Sequence, residues 1–314
     1  MKNQMKLLDV FVPTMLAAVF AFATGAWAGE PLVKSGQRVF FLGDSITAGG
    51  TWPGGYITLT ALGLKANEIN IQAINAGMGG NRSREMLARL ERDVLANKAD
   101  WVLLNCGVND SNTGEYGVPP DEFRSNVTKI VERSQAAGVR VMILPATGGR
   151  EDFAQMMRDV AKEKNCVLAD VRVPYQKADR DNPFAQMAND GVHPNARGYY
   201  EMAMPILRAF GLDEAQMAKA RTALLDQPKT FEYQPDFKVH LSLRQVQALN
   251  MLAAKHKMPT DEVLRLLFVA DLLPDVATKT PAEIEAFLDS QKGKDPYAAS
   301  RERFHQRLNA ILSQ

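Results

Sequence analysis

The chain has 314 residues, with 37 Lys and Arg against 36 Asp and Glu and 46% hydrophobic residues. That composition belongs to a globular protein with a sizeable core and excludes a disordered or fibrous chain. A net charge of +1 gives no reason to expect nucleic acid or an anionic membrane surface as a partner.

The first 28 residues have the pattern of a secretory signal peptide. Lys2 and Lys6 form a basic start, Phe11 to Thr24 is largely apolar with Pro13 interrupting it, and Ala26-Trp27-Ala28 is a small-x-small cleavage site. The apolar run is short for a membrane span of about 20 residues, which favours cleavage after Ala28 over a retained anchor. The expectation is an exported protein, periplasmic or secreted, with no stable membrane insertion. Lys2, Lys6 and Asp9 give the leader a charge of +1, so the remaining chain sits at zero.

From Arg38 onward, strand and helix signals alternate. Apolar runs of strand length occupy Arg38–Leu42, Ile69–Ile74, Trp101–Asn105, Val139–Leu144 and Val167–Val171. Helical patterns cover Gly54–Leu64, Ser83–Leu95, Asp121–Ala137 and Asp152–Lys164, with Ser83 and Asp121 as expected N-caps and Gly138 as an expected stop. A last helix, roughly Asn195 to Phe210, is closed by Gly211. This alternation predicts an α/β fold, a doubly wound, five-stranded parallel sheet, over residues 29–212. Residues 213–314 read as a mostly helical C-terminal extension. Helices are expected over Asp213–Leu225, Arg244–Lys255, Thr260–Leu273, Pro281–Ser290 and Tyr297–Leu312, with a linker or extended arm at Gln227–Pro235 and a short strand at Phe237–Leu243.

Four clusters in the α/β region carry chemistry. Phe40-Phe41-Leu42-Gly43-Asp44-Ser45 is a strand ending in a serine that opens a helix. A hydroxyl there is exposed, and backbone N–H groups at the helix start can hold an oxyanion, although a serine N-cap has the same look. Asn75-Ala76-Gly77-Met78-Gly79-Gly80-Asn81 and Asn105-Cys106-Gly107-Val108-Asn109-Asp110 each follow a strand signal. Strand C-terminal ends in an open parallel sheet are where ligands bind. The first of these two is not a dinucleotide fingerprint, because Arg82 stands where its third glycine belongs. In Asp190-Gly191-Val192-His193, an acid and an imidazole three apart can share one turn. The other three of the four histidines, His240, His256 and His305, lie in the C-terminal extension, so a histidine base in the α/β region must be His193.

These clusters, in this order, resemble the four sequence blocks of the SGNH hydrolases, the GDSL-type esterase and lipase superfamily. The resemblance covers roughly residues 35 to 212. It implies Ser45 as nucleophile, His193 as general base and Asp190 as the group that orients it. It implies an oxyanion hole made by the Ser45 N–H, the Gly80 N–H and the Asn109 side chain. Gly79 is the adjacent alternative in the second block. Substrate contacts are expected at Asp44, Trp52 and Asp110, with Trp52 alternatively covering core beside the next helix. No cofactor or metal is called for: there is no second imidazole in this region, and Cys106 and Cys166 are not a CxxC pair. The two cysteines lie at opposite ends of their strands and are expected to be free thiols. The serine is not in a G-x-S-x-G elbow, which argues against an α/β-hydrolase.

The acyl group and alcohol are less legible. The loop Ser111–Pro119 is polar and shows no lipid-facing side, which favours a small acyl group, such as acetyl, on a saccharide. The alternatives are a lysophospholipase or thioesterase acting on longer acyl chains, and a glycan-binding relative without turnover. Val239 to Leu267 weakly resembles a ribbon-helix-helix motif. An exported chain of zero net charge has no use for DNA, so the pattern suggests dimerisation through the C-terminal region or packing within the chain.

Overall fold

In a computed structural model the described residues are 30–264, apart from 53, 182–186, 189, 226–230, 234–238, 242 and 261–262, together with 286. The leader expected over residues 1–28 and the helices expected beyond residue 264 lie outside the described residues, save Ala286, which is helical.

Five parallel strands, β1 (Arg38–Gly43), β2 (Gln72–Gly77), β3 (Trp101–Cys106), β4 (Arg140–Pro145) and β5 (Val167–Leu168), form one sheet in the order β2-β1-β3-β4-β5. The helices are α1 (Ser45–Ala48), α2 (Tyr56–Lys65), α3 (Ser83–Asp93), α4 (Pro120–Ala136), α5 (Glu151–Glu163), α6 (Arg172–Asp181), α7 (Ala196–Ala209), α8 (Glu214–Leu225) and α9 (Leu243–His256). The side-chain period of two in the strands divides the core. Val39, Phe41, Trp101, Leu103, Met142 and Leu144 point to the face covered by α2 and α7. Phe40, Leu42, Val102, Leu104, Val141 and Ile143 point to the face covered by α3, α4 and α5. A sheet buried on both sides explains why the strands read as unbroken apolar runs. Met217 and Leu224 of α8, and Val246 and Leu249 of α9, join the same core as α2 and α7.

The doubly wound sheet is as expected, with differences at the edges. Strand β2 begins three residues later than its apolar run. Ile69 and Ile71 pack against the core beside the strand, while small Ala76 and Gly77 continue the ladder against β1. Strand β5 is short and pairs only through Met142–Val167 and Ile143–Leu168. Helix α6 carries no clear apolar period, and Pro174 falls in its first turn, where a missing N–H is tolerated. Ser83 and Asp121 lie inside their helices, whose N-caps are Arg82 and Pro119. Gly138 and Gly211 do follow their helices, both with positive φ. Within the expected linker, Phe231–Tyr233 is a strand (β6) that pairs antiparallel with β7 (Val239–Leu241) of the same chain. Cys106 and Cys166 are free thiols.

The chain winds to one side from β1 to β2 and to the other from β3 onward, so the crevice above β1 and β3 is the switch point of the sheet. In register, Gly43 stands opposite both Gly77 and Asn105, which puts three strand ends at one level. Helix α1 sits directly on them. A Cβ on Gly77 would fall 2.2 Å from the backbone nitrogen of Ala48, and one on Gly43 would fall 2.9 Å from the Asn105 carbonyl oxygen. Neither neighbour is the free end of a side chain, so neither can yield. Gly77→Ala is therefore expected to destabilise the fold by about 1–3 kcal/mol, read as a lower urea midpoint with an unchanged m-value, and to lower activity along with it.

Candidate active site

The serine expected as nucleophile opens α1. Its neighbour Asp44 is the N-cap, with the carboxylate accepting from the Ile46 N–H at 2.9 Å. Ser45 is thereby the first helical residue rather than the cap, and its hydroxyl is left for another partner. That partner is His193: Nε2 lies 2.8 Å from Ser45 Oγ. On the other side of the ring, Nδ1 lies 2.6 Å from Asp190 Oδ2. The second Asp190 oxygen accepts from the backbone N–H groups of Val192 and His193 at 2.9 and 2.7 Å. These bonds, the His193 side chain first, hold the Asp190 carboxyl well below the usual carboxylate range. The turn stands on an antiparallel bridge between Ala188 and Pro194, and Gly191 in it has φ +80°. Asp190 and His193 are about half exposed.

Around Ser45 the chain is braced from below. Tyr199 Oη donates to the Ile46 carbonyl at 3.0 Å, Thr47 Oγ1 and Tyr56 Oη share a 3.0 Å hydrogen bond, and Asn75 Nδ2 donates to the Ala48 carbonyl at 2.9 Å. The glycine loop after β2 folds back toward the serine: the Met78 N–H donates to the Gly43 carbonyl at 3.0 Å, and the Asn81 N–H closes a turn on Met78 O at 3.2 Å. Gly80 holds the left-handed position of this turn, φ +74°, and a Cβ on Gly79 would lie 4.0 Å from the Ser45 Cβ. From β3, the Asn109 side chain donates through Nδ2 to the Asn81 carbonyl at 3.0 Å. The nucleophile helix and the glycine loop are thus neighbours, and a bond from Asn109 ties the third block to that loop. Residue type alone does not distinguish Asn81; its contacts do.

Asp44 and Asp110, expected at the substrate, lie beneath the surface instead. Asp44 is 1% exposed and caps α1, while Asp110 is buried and accepts from the Ser83 N–H at 2.8 Å, capping α3 from another segment. Acids at helix starts bind backbone N–H groups that would otherwise be unpaired. Trp52, by contrast, is 67% exposed and does not cover core; its ring lies against Gly49. The loop after β3 exposes Tyr116 and buries Val118. Beside the histidine turn, a cleft of about 430 Å³ opens between Gly191 and Val192 on one side and Thr147, Tyr175, Asp179 and Arg180 on the other. Its Thr147 wall is held by Arg172, whose buried guanidinium donates to the carbonyls of Ala146, Gly148 and Gly149 at 2.8, 2.6 and 2.9 Å. Residue type does not distinguish Arg172 from the exposed arginines of the chain; the carbonyls around it do.

Comparison with known proteins agrees with this architecture. Residues 41–200 match the model of the GDSL-like Lipase/Acylhydrolase family. An acetylxylan esterase of Geobacillus stearothermophilus is 27% identical over 213 residues, 58% of this chain and 97% of that protein. A protein of Escherichia coli (strain K12) described as thioesterase 1/protease 1/lysophospholipase L1 is 28% identical over 172 residues, 51% of this chain and 76% of its own length. The crystal structure of the acetylxylan esterase Axe2 from Geobacillus stearothermophilus superposes with a TM-score of 0.53 at 25% identity, covering 58% of this chain and 97% of that one.

Burial pushes the Asp44 carboxyl up from 3.8 to about 6, with the nearby Asp110 adding to the rise. The native state then binds more protons than the unfolded chain between about pH 4 and pH 6, so this group's contribution to stability falls as pH rises through that window. Above it the penalty is complete, of order 1–3 kcal/mol. Asp44→Asn, which keeps an acceptor for the Ile46 N–H, should raise the thermal midpoint at pH 8, with the gain vanishing toward pH 4. A gain that is constant with pH would count against ionisation as its source.

Proposed function

The chain belongs to the GDSL-like lipase/acylhydrolase family and is a carboxylic ester hydrolase; on that premise we propose that it is an exported serine esterase that removes small acyl groups, acetyl above all, from carbohydrate. The observation that carries the reading is the continuous line of hydrogen bonds from Ser45 Oγ through His193 to Asp190. His193 Nε2 takes the hydroxyl proton as Ser45 Oγ bonds to the ester carbonyl carbon. Asp190 fixes the tautomer that leaves Nε2 free to accept and stabilises the imidazolium. The oxyanion is bound by the N–H groups of Ser45 and Gly80 and by the Asn109 amide. As the carbon–oxygen bond to the alcohol breaks, His193 returns its proton to the leaving oxygen. A water molecule then repeats the cycle on the acyl-enzyme and releases the carboxylic acid.

Three features support a small acyl group on a polar alcohol. The cleft beside the Gly191–Val192 turn is lined by Thr147, Tyr175, Asp179 and Arg180, polar side chains that suit a hydroxyl-rich alcohol. Trp52 presents an exposed ring of the kind that stacks on sugars. A relative aligned over nearly its whole length is an acetylxylan esterase. Export rests on the leader pattern of residues 1–28. Among the described residues no helix is long and apolar enough to cross a membrane. The catalytic unit in this reading is residues 29–212, and residues 213–314 extend it.

Ser45→Ala is expected to abolish labelling by a fluorophosphonate probe and to lower kcat for p-nitrophenyl acetate by about 10⁴-fold or more. Hydrolysis by the wild type should fall steeply as the acyl chain lengthens, and acetylated xylo-oligosaccharide should release acetate. A preference for long acyl chains or acyl thioesters would move the assignment to the thioesterase and lysophospholipase side of the family. Glycan binding with no turnover would replace it with a carbohydrate-binding role.

A further inference from the structure

The buried guanidinium of Arg89 is bonded to the ends of β1 and β2 and to the glycine loop. Arg89 is on α3 and only 7% exposed. Its Nε donates to Asn81 Oδ1 at 2.7 Å, one terminal nitrogen donates to the Ala76 carbonyl at 2.8 Å and to Asp93 Oδ2 at 2.9 Å, and the other donates to the Gly43 carbonyl at 2.9 Å. Gly43 and Ala76 are at the ends of β1 and β2, immediately before the nucleophile turn and the glycine loop. Asn81 closes that loop, and its carbonyl receives the Asn109 amide.

The geometry points to Arg89 and Asn81 as positioning residues that set the direction of the oxyanion donors, an inference that rests on the esterase reading above. The Asn109 Nδ2 group has two hydrogens. One is engaged by the Asn81 carbonyl, and because the amide is planar, that single bond fixes where the second hydrogen points. The Asn81 carbonyl is in turn fixed from two sides, by the turn to Met78 and by the guanidinium on its side chain. The same guanidinium holds the Gly43 carbonyl, two residues before Ser45. Nucleophile, glycine loop and Asn109 are therefore referred to one rigid, planar fork, a geometry that a lysine ammonium cannot reproduce. Stability alone is a poor explanation for it. A buried cation is costly to desolvate, and an apolar residue of similar volume commonly serves a core as well or better. Only one of the four Arg89 acceptors, Asp93, carries a charge; the other three are neutral groups at the catalytic end of the sheet.

Asn81→Ala removes the acceptor for Arg89 while keeping the backbone carbonyl that Asn109 uses. We expect kcat for p-nitrophenyl acetate to fall about 10- to 100-fold, short of the about 100- to 1000-fold typical of deleting a donor outright. KM should stay within about threefold, as for an interaction made only in the transition state. Affinity for a boronic acid that forms a tetrahedral adduct on the serine should fall by the same factor as kcat. The double variant Asn81→Ala with Asn109→Ala should be no slower than Asn109→Ala alone, because Asn81 acts through Asn109. Arg89→Lys, which keeps the charge and loses the fork, should reproduce the Asn81→Ala kinetics. Unchanged kcat in Asn81→Ala, or losses that simply add in the double variant, would overturn the proposal. A slow Asn109→Ala beside a normal Asn81→Ala would sink the positioning role alone. A normal Asn109→Ala would instead remove Asn109 from the oxyanion hole, and with it the esterase mechanism as drawn.

Discussion

The site depends on one reversal of chain direction, at Gly43-Asp44-Ser45. A buried strand must stop, turn and begin a helix within three residues, directly above two other strand ends. Backbone can approach backbone that closely only where Cβ atoms are missing, which is why Gly43 and Gly77 face each other in register under α1. Once that approach is made, the Ser45 hydroxyl stands at the mouth of the switch-point crevice, and the loop after β2 and the turn ending in His193 both come within reach of it. Remove the approach and the hydroxyl loses its neighbours on both sides.

The acids of this site divide by burial. Asp190 is out in solvent, where ionisation is cheap, and its three hydrogen bonds to one turn keep it charged. Asp44 and Asp110 are in the interior, where charge is costly, and they serve as caps for α1 and α3. One oxygen of each interior carboxyl finds a backbone N–H and the other finds no partner among the described residues. The same residue type thus holds the His193 imidazole in one setting and ties helix starts together in the other, and the two settings differ in solvent access.

Much of this was legible from residue order. Five apolar runs of strand length gave the sheet because its strands are buried on both faces, and the glycines after them marked places where chains crowd. Ser45, His193 and Asp190 stood out because they sat at strand ends or on a tight turn, and because the α/β region holds a single histidine. What escaped was set by partners distant in sequence. Ser83 has the residue type of an N-cap, but Asp110, 27 positions away, takes its N–H. Asp44 and Asp110 have the residue type of substrate contacts, and only packing reveals that both are buried. Arg89 has the look of an ordinary charge on a helix and Arg172 of one after a strand, until the carbonyls that surround them are known. Helix α6 has few apolar residues and a proline in its first turn, so its residues alone do not announce it.

Both side chains in the hydrogen-bonded line from Ser45, His193 and Asp190, belong to a single four-residue turn, and the Asp190 carboxylate that holds the imidazole also binds the turn's own backbone. The two side chains are therefore positioned together, by one turn. Mounting it correctly demands that just one gap, to the hydroxyl, be set by the rest of the molecule. The footing of that turn is the two-residue bridge of Ala188 against Pro194, so the position of both side chains is set through a single point of attachment.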